Sequence, residues 1–198
     1  MNRIIPTNEI SRKVFHISSS IVPLSYLWLI QEKDIMVMIL AITSLFAISI
    51  ELLRKNIEIV TDLFNHWFGS MLRVSESKGG LTGATWLLFG WTITSFIFEM
   101  TIAVSALIFL AVGDSFAAIV GKLYPVGRIG DKTLSGALAG FIVSFGVVLL
   151  VIHTLPPIIL FLGAFAAMLI ELLPLKINDN LTIPVFSGMV MMMAERLI

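Results

Sequence analysis

The chain has 198 residues, of which 58% are apolar and only 13% charged, with a mean hydropathy of +0.99. Soluble domains are about 45–50% apolar and about 25% charged, so an ordinary soluble domain and a disordered chain are both excluded. Thirteen basic residues balance thirteen acidic ones, leaving no basic field for nucleic acid, and the absence of cysteine excludes disulfides, thiol catalysis and Cys-ligated zinc or iron–sulfur centres.

A membrane-spanning helix needs about 20 mostly apolar residues. Divided at its polar clusters, the sequence predicts an all-α polytopic membrane protein. About seven spans are expected, near 15–30, 35–53, 81–98, 101–121, 134–152, 156–173 and 181–196, in a single domain over 1–198. The first run follows Arg12 and Lys13, but no small-residue cleavage site follows Trp28, Leu29 and Ile30, so a retained helix is expected rather than a signal peptide. After the second span, residues 55–73 carry Ile57, Val60, Leu63, Phe64, Trp67, Phe68, Met71 and Leu72 at helical spacing, with charged and polar residues between them. That pattern predicts an amphipathic helix lying in the membrane interface, either a connector or a lateral gate for a lipid. Seven spans place eleven basic residues on one side and only Lys33 and Arg196 on the other. The positive-inside rule then puts the N-terminus and nearly all the polar loops in the cytoplasm.

Chemistry concentrates on that side. Asp114 lies in the apolar run Leu110–Gly121, where a carboxylate costs about 2.5–3.5 kcal/mol to insert and usually faces a polar cavity. Ala118 and Gly121 share its helix face, while Gly113, Ala117 and Gly121 form a small-residue packing stripe that would also allow a homodimer. The loop that follows carries Lys122, Arg128, Lys132, Thr133 and Ser135 between Gly121 and Gly136. Glycines let backbone N–H groups close on an anion, cations neutralise it, and the helix starting near Leu134 offers its N-terminus to phosphate. A second glycine turn, Lys78 to Thr85, includes Gly80 and Thr82; Glu171 ends the sixth span, and Asp179 and Asn180 open the seventh, where Asp179 could be a helix cap. Glu51 stands one turn before Arg54 and can pair with it. Carboxylates, cations and glycine turns on one membrane face suit phosphoryl chemistry on a lipid. Mg²⁺ takes one or two carboxylates plus substrate phosphates, and a further carboxylate can accept the proton of an acceptor hydroxyl. His16, His66 and His153 form no metal-binding motif.

The ordered set Arg12-Lys-x-x-His16, Glu51-x-x-Arg54, Gly80-Leu-Thr-Gly-Ala-Thr85, Gly113-Asp-x-x-Ala-x-x-x-Gly121, Lys132-Thr-x-x-Gly136 and Asp179-Asn-Leu-Thr-Ile-Pro184 resembles the CTP-dependent lipid kinases. These are the dolichol, phytol and farnesol kinases and the CTP-dependent diacylglycerol kinases. The resemblance implies a multi-pass kinase, in a plasma membrane by default, that uses CTP and Mg²⁺ to phosphorylate a membrane lipid alcohol at the cytoplasmic face. It implies that Arg12, Lys13, Asp114, Gly121, Lys132 and Gly136 form the nucleotide site, with Asp114 on the metal. Asp179 and Asn180 would form a second polar cluster, and Asp179 or Glu171 would be the base. Lys78, Gly80, Thr82, Lys122, Arg128 and Thr133 are further candidates for nucleotide contact. The family often has an acidic residue where Ser135 stands.

The CTP:phosphatidate cytidylyltransferases share the Asp-x-x-Ala…Gly…Lys-Thr-x-x-Gly pattern and are the alternative; they attack the α-phosphorus and release pyrophosphate. An ion-coupled transporter using Asp114 is a third reading. It would need polar groups in both halves of the membrane, and the sequence places almost none in the outer half.

Overall fold

The computed structural model of the chain describes residues 6–77, 79–175 and 177–197. The protein is helical nearly throughout, as the hydropathy pattern predicts. Seven helical rods stand where the seven apolar runs lie. The first combines α1 (Thr7–Ser18), α2 (Ile21–Ser25) and a π-helical turn, Tyr26–Ile30, and ends where Gln31 turns left-handed at φ 55°. It begins well before residue 15, so Arg12 and Lys13 lie inside the helix rather than ahead of it.

α3 (Lys33–Asn56) runs the length of the bundle and breaks at Ile57, whose backbone is extended. α4 (Glu58–Phe68) and a 3₁₀ turn (Gly69–Met71) follow, so the interfacial helix is shorter than 55–73 and Lys55 belongs to α3. After the one-turn α5 (Val74–Ser77) comes α6 (Gly83–Ile97), capped by the Thr82 hydroxyl accepting from the Thr85 N–H. The fourth rod joins α7 (Met100–Ile108), a π segment (Phe109–Asp114) and α8 (Ser115–Leu123). A hairpin of β1 (Arg128–Ile129) and β2 (Lys132–Thr133) leads into α9 (Leu134–Val151), then α10 (Pro157–Leu172) and α11 (Asp179–Glu195). Glycine at the first position of the two-residue turn, Gly130 at φ 59°, is what a type II′ hairpin requires.

Four rods, Glu9–Ile30, Lys33–Asn56, Met100–Leu123 and Leu134–Val151, are long and apolar enough to cross a membrane. α6, α10 and α11 are shorter, at 15, 16 and 17 residues. The fourth rod is the axis of the bundle: 78% of its apolar window is buried inside the protein, against 11–28% for the other three. Large apolar side chains such as Phe46, Ile59, Phe96 and Leu150 instead cover the exterior. An apolar coat around an interior that holds Glu51, Arg54 and Glu171 reverses the soluble pattern and fits a bilayer.

Close helix crossings hold this interior together. Pro184 lacks the N–H that would bond the Asn180 carbonyl, and Gly90 of α6 packs against that oxygen, where any side chain would collide. Mid-helix hydroxyls bond back to the preceding turn, as Thr94 does to Gly90 O at 2.7 Å and Ser115 to Ala111 O at 2.7 Å.

The turn between α4 and α6 is fixed by buried charge. Glu51 accepts from Arg54 Nε at 2.6 Å, from the Thr82 N–H at 2.9 Å and from the Thr85 hydroxyl at 3.0 Å. Arg54 donates to the carbonyls of Glu76 (3.2 Å) and Gly80 (2.8 Å) and lies 4.9 Å from the Phe64 ring centre. Replacing Glu51 with alanine strands a buried guanidinium and an N–H and should cost about 3–5 kcal/mol, whereas Glu51→Gln keeps the Thr82 bond and should cost less. Thermal unfolding in detergent measures both; an unchanged midpoint for Glu51→Ala would show the network to be dispensable.

Candidate functional site

The ion pairs of α1, the hairpin, α10 and α11 gather at one end of the bundle, around a cavity of about 380 Å³. The pair of Lys33 and Glu99 marks the other end, separated from Arg54 by the length of α3. Six basic and five acidic side chains line the cavity. It is therefore a paired arrangement rather than a bare basic patch, suited to a ligand that brings both anionic and cationic groups.

The π segment sets Asp114. Such a turn inserts a residue into the helix and recurs at functional sites; here it buries Phe109–Gly113 and points Asp114 into the cavity. The α1 stripe Glu9, Arg12, Lys13 and His16 faces the same way. Lys13 Nζ donates to Asp114 Oδ2 at 2.6 Å, and His16 Nε2, which has no hydrogen-bond partner among the described residues, lies 3.7 Å from the same oxygen. Glu9 pairs with Lys122 at the rim. Ala118 and Gly121 line the wall beside Asp114, as their shared helix face predicts.

Lys132 forms the second centre. Strand β2 projects it between Glu171 Oε1 at 2.7 Å and Asp179 Oδ2 at 2.8 Å. Asn178 rather than Asp179 caps α11, accepting from the Asn180 N–H at 3.0 Å, so the Asp179 carboxylate is left for Lys132. Burial alone would lower the Lys132 pKa; Glu171 and then Asp179 outweigh burial and hold it above the usual lysine range. A raised folded value means that this stabilisation is fully present below the unfolded value of about 10.4 and is lost only as pH rises through the folded one. The stability difference between wild type and Lys132→Met should therefore stay flat from about pH 7 to about pH 9. A difference that shrinks across that range in thermal melts would contradict this assignment.

Three expectations need correction. The α9 N-terminus is not open to phosphate. Leu134 N–H bonds Gly127 O (2.9 Å), Ser135 N–H bonds Val126 O (3.3 Å), and Gly136 N–H bonds Thr133 Oγ1 (3.1 Å). The hairpin folds back on the helix and consumes these donors, which leaves the cationic side chains as the groups open to an anion. Second, Gly136 lies at the crossing of α8 and α9, against Ala117 O and Thr133 Oγ1, and Gly80 serves the Arg54 network; neither lines a cavity. Third, the nucleotide loop expected over about 113–136 is helical as far as Leu123, with Gly113 and Asp114 in the π segment. Lys122, Arg128 and Thr133 do line the polar cavity. Thr82 and Asn180, which donates to Gly83 O at 2.8 Å, line a neighbouring one. Lys78 lies outside the described residues.

That neighbouring chamber, about 370 Å³, is mostly apolar and runs between α1, α3, α4 and α6. The two cavities share Arg12, Lys13, Arg73 and Asp114. Sequence reasoning missed Arg73 and Glu9. A helix starting at Thr7 puts Glu9 on the face of Lys13 and His16, which the spacing would have shown; nothing local marks Arg73.

Among the described residues, no group of three or more histidines and carboxylates could hold a metal alone. The site does fit a cation that a ligand's phosphates help to hold. Asp114, Glu171 and Asp179 line one cavity, and Glu171 Oε2 is buried without a hydrogen-bond partner.

The site is a charged, ion-paired cavity joined to an apolar chamber inside an apolar-coated helical bundle. Over 184 residues the chain is 27% identical to the uncharacterized protein RP860 of Rickettsia prowazekii (strain Madrid E), covering 89% of each chain. No family model matches the chain, and no solved structure matches it.

Proposed function

We propose that the chain is a seven-span membrane kinase, resembling the CTP-dependent lipid kinases, that transfers the γ-phosphate of CTP to a lipid alcohol at the cytoplasmic face. One observation carries the reading: the charged cavity and the apolar chamber meet at Asp114, Lys13, Arg12 and Arg73. A nucleotide triphosphate needs the first compartment and a lipid tail needs the second. The reaction needs them joined at a carboxylate, and Asp114 is the carboxylate lining both.

Phosphoryl transfer is largely positioning and charge stabilisation. Lys132, Lys122 and Arg128 hold the nucleotide phosphates, and Lys13 neutralises charge at the junction. The acceptor oxygen bonds to the γ-phosphorus as the bond to the β–γ bridging oxygen breaks; CDP leaves, and the hydroxyl proton passes to a carboxylate, Glu171 or Asp179. Asp114, with Glu171 or Asp179, would hold Mg²⁺, which supplies charge neutralisation on the phosphates when bound. In the free site each of these carboxylates is paired with a lysine, so the ligand exchanges one set of ion pairs for another.

The cytidylyltransferase reading keeps a specific support. The junction carries three cations, Arg12, Lys13 and Arg73, which suits an acceptor that already bears phosphate. CTP labelled at the γ- or the α-phosphorus separates the two, using purified protein, Mg²⁺ and lipid alcohols or phosphatidate. Label reaching the organic phase from γ alone is expected. Label from α establishes the cytidylyltransferase, and label from neither with folded protein removes both.

A further inference from the structure

The last turn of α4 and the chain from it to Arg73 border the apolar chamber. Phe64 and Phe68, whose tilted rings lie 5.1 Å apart, and then Met71 and Leu72, form one wall of the apolar chamber. Leu63 and Trp67, flanking that wall on the apolar side of α4, and Ile59 one turn before Leu63 are exposed, as is Phe68 itself. An amphipathic helix lays its apolar side against a bilayer, which sets this wall of the chamber beside lipid.

The same segment ends on Arg73 at the junction. Its backbone is pinned, because the Arg73 N–H donates to Glu76 Oε2 at 2.9 Å while Glu76 Oε1 accepts from the Gly83 N–H at 3.1 Å. Its side chain is free: among the described residues neither Arg73 nor Arg12 makes a side-chain ion pair. The two like charges act on each other across the junction; Glu76 and Asp114 offset part of the charge on Arg12, and an anion between the guanidinium groups relieves the rest. Two unpaired guanidinium groups match a dianion, and each presents a fork fitted to phosphate oxygens. A phosphodiester headgroup offers only one negative charge.

We infer that residues 64–73 form a binding site for a lipid phosphomonoester drawn from the bilayer. Its hydrocarbon chain lies against Phe64, Phe68 and Met71, and its phosphate lies between Arg73 and Arg12. The site deepens the proposed function and rests on it only for the direction of the chemistry: the phosphomonoester is the product of a kinase and the substrate of a cytidylyltransferase. Binding needs neither nucleotide nor turnover.

The test uses the full chain in phosphatidylcholine nanodiscs without nucleotide, and a long-chain alkyl phosphate carrying a diazirine in its chain. Photolabel is expected on peptides bearing Phe64, Phe68 and Met71. Unlabelled alkyl phosphate should compete, and inorganic phosphate should not. Arg73→Gln should weaken retention about tenfold, the scale of one lost charge-assisted pair, and Arg73→Lys should recover part of it. Ala84→Leu, which projects into the chamber, should reduce labelling, and Leu63→Ala on the bilayer face should leave it unchanged. Label confined to Ile59, Leu63 and Trp67, or unaltered retention by Arg73→Gln, overturns the inference. Competition by inorganic phosphate reveals a free-anion site instead and overturns the lipid assignment. Labelling at residues 64–71 with no transfer from CTP sinks the proposed reaction and leaves this site standing; transfer without labelling does the reverse.

Discussion

Asp114→Asn is expected to abolish transfer from CTP to lipid while the bundle stays folded. Asparagine keeps the size of the side chain and one carbonyl oxygen that can accept from Lys13, which now lies 2.6 Å from the carboxylate. What it removes is the negative charge at the junction of the two cavities. A carboxylate that anchors a phosphate-bound cation contributes about 4 kcal/mol to the transition state, or roughly a thousandfold in rate. The loss should fall on kcat, with the protein still monodisperse in detergent and melting within a few degrees of wild type. Turnover within tenfold of wild type would remove Asp114 from the chemistry and reduce it to a packing partner of α1.

Lys132→Met should lose both activity and stability. The lysine separates Glu171, whose side chain is 4% exposed, from Asp179. Without it two carboxylates face each other, one of them buried. Removing one partner of a buried pair usually costs 3–5 kcal/mol; Lys132 is 30% exposed, and solvent reduces the expected loss to about 2 kcal/mol. The double variant Lys132→Met/Glu171→Gln should regain most of that stability and none of the activity, because the repulsion is gone but the phosphate-binding cation is still missing. Melting curves and CTP-dependent lipid labelling read the two effects separately. Recovery of activity in the double variant would show that Lys132 serves only to neutralise Glu171.

Sequence alone determined the helical architecture, because twenty-residue apolar runs bounded by charge admit little else. It also singled out Asp114, since a carboxylate in an apolar helix is costly enough to need a reason. The Glu51–Arg54 pair and the helix start at Leu134 followed from local spacing. Local spacing failed where partners are far apart in the chain. Lys132 meets Glu171 and Asp179 across 39 and 47 residues, and Lys13 meets Asp114 across 101. No periodicity encodes such pairings; the packing of α1, α9, α10 and α11 around the central rod creates them. Gly136, read as part of a phosphate cradle, is a close-packing site, Gly130 serves the hairpin turn, and the hairpin folds onto α9 and uses its free N–H groups. The joining of a charged cavity to an apolar chamber is likewise tertiary. It depends on a π turn that aims Asp114 inward and on a buried Glu51–Arg54–Glu76 network that returns the chain from α4 to the site, carrying Arg73 with it.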